Sequence, residues 1–184
     1  MRTEDALKRI AGGDRLAFTS LYSGLQPALL RYAAGLLARD AEAAADVVDE
    51  AFLDIWRHAG RYDGVGSADG WIYRIVRNKA VDWLRRRRER PFASEAEQSL
   101  VETMADDADT PQETAEKNSS AAELRRALER LSPDHRDVVW LCYFEDRSVS
   151  EIAAIVGCPE NTVKTRLFHA RRQLRGALDG SAES

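Results

Sequence analysis

The feature that most constrains this chain is an acidic tract, Pro91–Asn118, set between two stretches whose apolar residues recur at three- and four-residue spacing. The tract carries Glu95, Glu97, Glu102, Asp106, Asp107, Asp109, Glu113 and Glu116 against Lys117 alone, a net charge of −7, with no periodic apolar stripe. Such a segment buries too little apolar surface to offset the entropy lost on ordering. It is expected to be a flexible linker. The chain then divides into residues 1–90, the linker 91–118, and residues 119–184. Domains of this size bury only about 60% of their unfolded surface and suit a life with partners.

Both flanks read as helix, and no window sustains the alternation of a strand. A first helix follows Thr3 and stops at Gly12-Gly13, a pair suited to a left-handed cap. Asp14 caps a second, whose stripe is Phe18, Leu21, Tyr22, Leu25, Leu29, Ala33, Leu36 and Leu37. Pro27 marks a kink or a division in it. Asp40 caps a third helix running through Trp56, with Val47, Val48, Ala51, Phe52 and Ile55 inward. A glycine-rich loop spans Gly60–Ser67, and a fourth helix runs from about Ser67 into Arg85–Arg88. Beyond the linker, Leu124, Leu128 and Leu131 form a stripe. Ser132-Pro133 then starts a helix that carries Val138, Val139, Leu141, Cys142 and Phe144. The expected class is all-α: two small helical domains joined by the acidic linker.

The net charge of −4 conceals a segregated pattern. Six acids and no base lie between Asp40 and Asp54, and eight bases against two acids lie between Trp71 and Arg90. Five bases without an acid lie between Thr162 and Gly176. Two basic patches on either side of an acidic tract suggest two contacts with a polyanion.

Several function classes are disfavoured. The longest apolar run, Val138–Phe144, is far short of the roughly 20 residues that span a bilayer. The N-terminus has no apolar signal region, so a cytoplasmic protein without membrane insertion is expected. Cys142 and Cys158 form no CxxC pair, and no cofactor or metal is expected. No P-loop, dinucleotide fingerprint or HExxH is present, and His58, His135 and His169 are scattered, so an enzyme is not expected.

The most specific segment is Ser148–Leu174. Ser148-Val149-Ser150-Glu151 fits a capping box, its helix ends at Gly157, and Pro159 opens another that runs to about Leu178. A short helix, a glycine turn and a second capped helix are the helix-turn-helix signature. Val163, Leu167, Ala170 and Leu174 face inward on the second helix. Glu160, Asn161, Lys164, Thr165, Arg166, Phe168, His169, Arg171 and Arg172 are left more exposed, as a DNA-reading helix requires. An ordinary helical hairpin with a solvated basic face is the bland alternative.

That segment resembles the C-terminal DNA-binding domain of extracytoplasmic-function sigma factors of the sigma-70 family, and also the helix-turn-helix of LuxR-type regulators. The first flank favours the former. Asp46-Val47-Val48-Asp49-Glu50-Ala51-Phe52-Leu53-Asp54-Ile55-Trp56 resembles the sigma segment that docks on core RNA polymerase. The string from Trp71-Ile72-Tyr73-Arg74 through Asn78-Lys79 to Trp83-Leu84-Arg85-Arg86-Arg87-Arg88 resembles the helix that melts and reads the minus-10 promoter element.

The resemblance implies three sets of residues. Glu160, Asn161, Thr162, Lys164, Thr165, Arg166, His169, Arg171 and Arg172 would meet the minus-35 element. Tyr62, Ser67, Arg74, Arg77, Asn78, Lys79, Trp83, Arg85, Arg86, Arg87 and Arg88 would meet the minus-10 element. Asp46, Asp49, Glu50, Leu53 and Asp54 would meet polymerase. Promoter DNA and core polymerase are the implied partners, together with an anti-sigma factor of the kind that often restrains the family. One departure stands out: Gly66-Ser67 is followed by Ala68-Asp69-Gly70, where Asp69 would repel phosphate and Gly70 weaken the helix's first turn.

Overall fold

A computed structural model of the chain describes residues 2–89 and 121–179; the linker expected at 91–118 lies outside the described residues. The described residues are helical with no strand. The helices are α1 (Thr3–Ala11), α2 (Arg15–Leu36), α3 (Ala41–His58) and α4 (Ala68–Glu89), with a short 3-10 turn at Ala59–Arg61. Then come α5 (121–129), α6 (Pro133–Tyr143), α7 (Val149–Val156) and α8 (Glu160–Asp179).

The starts sit where the capping residues put them. Asp14 accepts from Ala17 N–H and Asp40 from Ala43 N–H, each at 3.0 Å. Ser132 accepts from His135 N–H at 3.3 Å, and Ser148 and Glu151 close the full capping box. α7 ends on Gly157 at φ 70°, a left-handed turn that costs glycine little. α2, however, continues through Pro27 without dividing. A mid-helix proline costs about 3 kcal/mol. Here Leu21 before it and Leu29, Tyr32, Ala33 and Leu36 after it are all buried, so one continuous packed face outweighs the lost hydrogen bond.

α1 to α4 pack on one another, as do α6, α7 and α8, and the two groups also meet through α2 against α6 and α4 against α7. Buried residues from both flanks, Leu29 and Tyr73 as well as Leu141 and Ile155, belong to one apolar cluster. Phe144, expected within α6, stands just past its end as the C-cap residue. It lies half-exposed and stacks on Trp140, with centroids 4.1 Å apart.

Candidate nucleic-acid and polymerase surfaces

α8 is held by the inward stripe Val163, Leu167 and Ala170, all buried, so its opposite face has to meet solvent. Glu160, Asn161, Lys164, Thr165, His169, Arg171 and Arg172 are exposed; Thr162 and Arg166 are half-buried. Three of these already have protein partners. Thr165 Oγ donates to the Asn161 carbonyl at 2.9 Å. Arg166 pairs with Asp134 of α6 at 2.8 Å, and Arg171 Nε donates to the Leu167 carbonyl. The remaining bases project from a rigid rod docked on α6 and α7, an arrangement that brings N–H donors to phosphates and base edges together.

α4 divides its candidate residues among three faces. Arg74 and Asn78 are exposed one turn apart, and Arg85, Arg86, Arg87 and Arg88 continue the exposed basic run. Trp83 is half-buried with the Arg87 guanidinium 5.1 Å from its ring, and Arg87 also reaches Asp40. Lys79 points instead at α3, with Asp54 at 2.8 Å and Glu50 at 3.5 Å. Arg77 faces the other half of the molecule and pairs with Asp137 of α6. Arg74, Asn78 and the arginine run therefore form one surface, while Lys79 and Arg77 hold helices together.

The loop before α4 is braced from within. Tyr62 donates to the Gly66 carbonyl at 2.9 Å, and its ring lies 5.9 Å from that of Trp71. Ser67 Oγ accepts from Gly70 N–H at 2.9 Å and so caps α4. Asp69 has Arg147 3.9 Å away, and a Cβ on Gly70 would meet its own capping residue first, Ser67 Oγ at 3.3 Å, with Ile155 of α7 at ordinary contact distance.

α3 presents Asp46, Asp49, Glu50 and Leu53 on one exposed stripe, with Leu53 an apolar residue left 51% exposed among acids. Asp54 is half-buried beside Lys79. Tyr22 donates to Asp49 at 3.3 Å. An apolar centre rimmed by acids fits a basic, partly apolar protein surface.

The joint between the halves has no counterpart in the sequence reading. Arg136, almost fully buried, donates to the carbonyls of Leu128, Glu129, Leu131 and, across the joint, Leu36. Desolvation holds its guanidinium below the ordinary arginine value. Tyr73 of α4 donates to Glu145, and the Arg147 guanidinium lies 4.6 Å from the Tyr73 ring. Burial first, and then Glu145, push the Tyr73 hydroxyl pKa well up. A Tyr or Arg at helical spacing gives no sign of a partner some 70 or 100 residues away.

Comparison with known proteins gives the chain relatives along nearly all of its length. The family model described as Sigma-70 region 2 matches residues 21–90, and that described as Sigma-70, region 4 matches residues 121–174. The chain is 31% identical over 183 residues to the RNA polymerase sigma-H factor of Pseudomonas aeruginosa, covering 95% of this chain and 93% of that one. It is 32% identical over 188 residues to the ECF RNA polymerase sigma-E factor of Haemophilus influenzae, covering 96% and 95%. Its fold is similar to that of the sigma factor RpoE of Bartonella quintana, solved in complex with the anti-sigma factor NepR. The TM-score is 0.65 at 24% identity, over 88% of this chain and 96% of that one. A LuxR-type regulator has no place for the match over residues 21–90.

Proposed function

The chain belongs to the sigma-70 family, in its extracytoplasmic-function group, and from that premise we propose how its surfaces divide the work. It is an alternative sigma factor that directs promoter-specific transcription initiation, and core RNA polymerase and promoter DNA are its partners. It lends sequence choice, and the polymerase performs the chemistry. The exposed face of α8 reads the minus-35 element. The stripe of Arg74, Asn78 and the Arg85–Arg88 run takes the minus-10 element. Asp46, Asp49, Glu50 and Leu53 dock on polymerase. Residues 1–90 and 119–184 act as the two sigma domains, joined through 91–118, and an anti-sigma factor is a further partner of the assembled pair.

The observation that carries this reading is the outer face of α8: Lys164, Arg166, Arg171, Arg172 and Arg175 without one acid from Thr162 to Gly176, on a helix anchored by Val163, Leu167 and Ala170. The test is run-off transcription by the chain with core polymerase on a pool of genomic promoters. Arg171→Ala and Arg172→Ala each weaken binding almost evenly across promoters and lower the salt slope by about one. Asn161→Ala or Lys164→Ala shifts sequence preference. On the docking side, Asp49→Arg with Leu53→Asp abolishes co-purification with core polymerase. Unchanged promoter choice and unchanged core binding in these variants would remove the assignment.

A further inference from the structure

The turn that follows α2 faces α5 and α6 across a small concavity with an open volume of about 10 Å³, room for roughly one oxygen-sized atom. Ala38, Leu128 and Trp140 give it apolar walls, and Arg39, Arg125 and Arg136 bring three guanidinium groups to it. Arg39 belongs to the first flank, and Arg125 and Arg136 to the second. None of the three lies on a surface assigned above to DNA or polymerase. The backbone that carries Arg39 is strained: Ala38 and Arg39, consecutive and neither a glycine, have φ of 52° and 66°. Each such residue costs about 1–2 kcal/mol against a right-handed turn and persists only where its surroundings hold it. The Arg39 N–H on the Ala34 carbonyl, at 2.8 Å, and the Asp40 N–H on the Leu37 carbonyl, at 3.2 Å, do that here.

The charges around this concavity do not balance. Arg136 is almost fully buried, and its four hydrogen bonds all go to neutral backbone carbonyls. They use Nε, one N–H of Nη1 and both of Nη2, which leaves one Nη1 N–H over. Arg39 and Arg125 make no ion pair or side-chain hydrogen bond among the described residues.

Arg39 also feels its neighbour. Partial desolvation first, and then the like charge of Arg125, hold its guanidinium below the ordinary arginine value, against the pull of Glu129. Among the lining residues Glu129 is the one carboxylate, and it is exposed. Three cations against one anion leave two positive charges in excess, one of the cations buried. A buried charge without a counter-charge is costly, so the site favours an anion.

We propose that this concavity binds a free phosphate ion, held by Arg39 from the first flank and by Arg125 and Arg136 from the second, and that the bound ion braces the joint between them. One oxygen fills the concavity and takes the spare N–H of Arg136. The others are left to the guanidinium forks of Arg39 and Arg125, whose paired N–H groups suit phosphate oxygens. At pH 8 a phosphate ion is largely a dianion and matches the two excess charges, whereas a carboxylate brings only one.

The experiment melts the full chain at pH 8 with inorganic phosphate, acetate or chloride at equal ionic strength. The added anion is kept to about 10 mM, too dilute for general exclusion from the protein surface to matter. Phosphate raises the melting temperature by several degrees over chloride, because an ion that binds only the folded protein stabilises it by mass action. Acetate does not. Arg39→Gln and Arg125→Gln each lose most of that rise, since each removes the contribution of one flank. Arg126→Gln, on the same helix as Arg125 but outside the concavity, keeps it. In chloride alone Arg39→Gln melts at or above the wild type, because the repulsion from Arg125 is gone. Titration calorimetry with inorganic phosphate shows one site per chain, weakened about tenfold or more in Arg39→Gln and in Arg125→Gln, the loss expected of a charged donor. No phosphate-dependent rise in the wild type overturns the proposal, as does an equal rise with acetate. A rise lost in only one of Arg39→Gln and Arg125→Gln overturns the shared site, and a rise lost equally in Arg126→Gln replaces it with diffuse charge.

Discussion

Tyr32 of α2 donates its hydroxyl proton to Asp137 of α6 at 2.7 Å, although 105 residues separate them in the chain. The other carboxylate oxygen of Asp137 is gripped by Arg77 of α4. One buried carboxylate thus ties three helices, two from the first flank and one from the second. Burial drives its pKa above the ordinary carboxylate range, while Arg77 and the Tyr32 hydroxyl pull it down. Val138 and Val139, next to Asp137 in the chain, are buried as well. A low dielectric makes such a pair strong when complete and costly when half is lost.

Asp137→Ala therefore leaves Arg77 largely buried without its partner, a loss on the order of 3–5 kcal/mol. Tyr32→Phe removes one hydrogen bond and costs about 1 kcal/mol. Replacing both charges together, Arg77→Met with Asp137→Leu, restores most of the stability, because apolar packing substitutes well for a buried ion pair. Urea unfolding of the three proteins checks this. A loss below about 1 kcal/mol for Asp137→Ala would show that the carboxylate does not hold the halves together.

A second point of contact is steric. A Cβ placed on Gly35 would lie only 2.1 Å from Trp140 Cε2, because the indole lies flat against the backbone of α2. Gly35→Ala raises helix propensity but drives the two helices apart, for a net loss of about 1–3 kcal/mol. Adding Trp140→Leu to it recovers part of that loss by vacating the space. Thermal melts of the single and double variants decide it: a Gly35→Ala protein melting at or above the wild-type temperature would mean α6 does not approach α2 so closely.

What the sequence made legible was local. Asp14, Asp40, Ser132 and Ser148 each marked a helix start because a capping side chain acts on N–H groups two or three residues away. The stripe Val163, Leu167 and Ala170 marked the inner face of α8 because burial follows the helical period. Of the two outcomes open at Pro27, a kink or a division, the division does not occur, because the packing on both sides of it outweighs the local cost. Charge alone does not say which way a helix is turned, and Arg77 and Lys79 each make an ion pair within the protein. Their carboxylate partners, Asp137 and Asp54, are 60 and 25 positions away in sequence, beyond any local pattern.

The helix-turn-helix carries an acid-sensitive cap. Glu151 accepts from both the hydroxyl and the backbone N–H of Ser148, at 2.7 and 2.9 Å, and these bonds lower its pKa from the ordinary 4.5. A lowered folded value means the ionised form stabilises the fold. The contribution is full above pH 4.5 and fades as pH falls toward and through the lowered value. Asp137 runs the other way: its raised value favours the fold at low pH and fades as pH rises from 3.8 through the folded value. Ser148→Ala costs about 1 kcal/mol near neutral pH and much less once Glu151 is protonated. Stability curves against pH for Ser148→Ala and wild type that stay parallel down to pH 3 would remove Glu151 from the cap.

Asp134 borders the outer face of α8, proposed above to meet DNA, and it holds Arg166 at 2.8 Å. Near a polyanion it acts twice, by occupying a donor that would reach phosphate and by repelling phosphate directly. Asp134→Asn keeps the shape and removes both effects. Promoter binding by the holoenzyme should tighten several-fold, with a salt slope steeper by about one as Arg166 neutralises a further phosphate. The fold should barely notice, since an ion pair with a 58% exposed carboxylate is worth about 0–1 kcal/mol. Asp134 also lies in the first turn of α6, where an acid favours the helix dipole by about 0.3–1 kcal/mol, and asparagine gives that up. Arg166→Ala separates the two routes. If release of Arg166 is what matters, Asp134→Asn gains little once Arg166 is alanine. If repulsion dominates, the gain survives undiminished in the double variant. No tightening in either background would mean that Asp134 does not oppose DNA at this face.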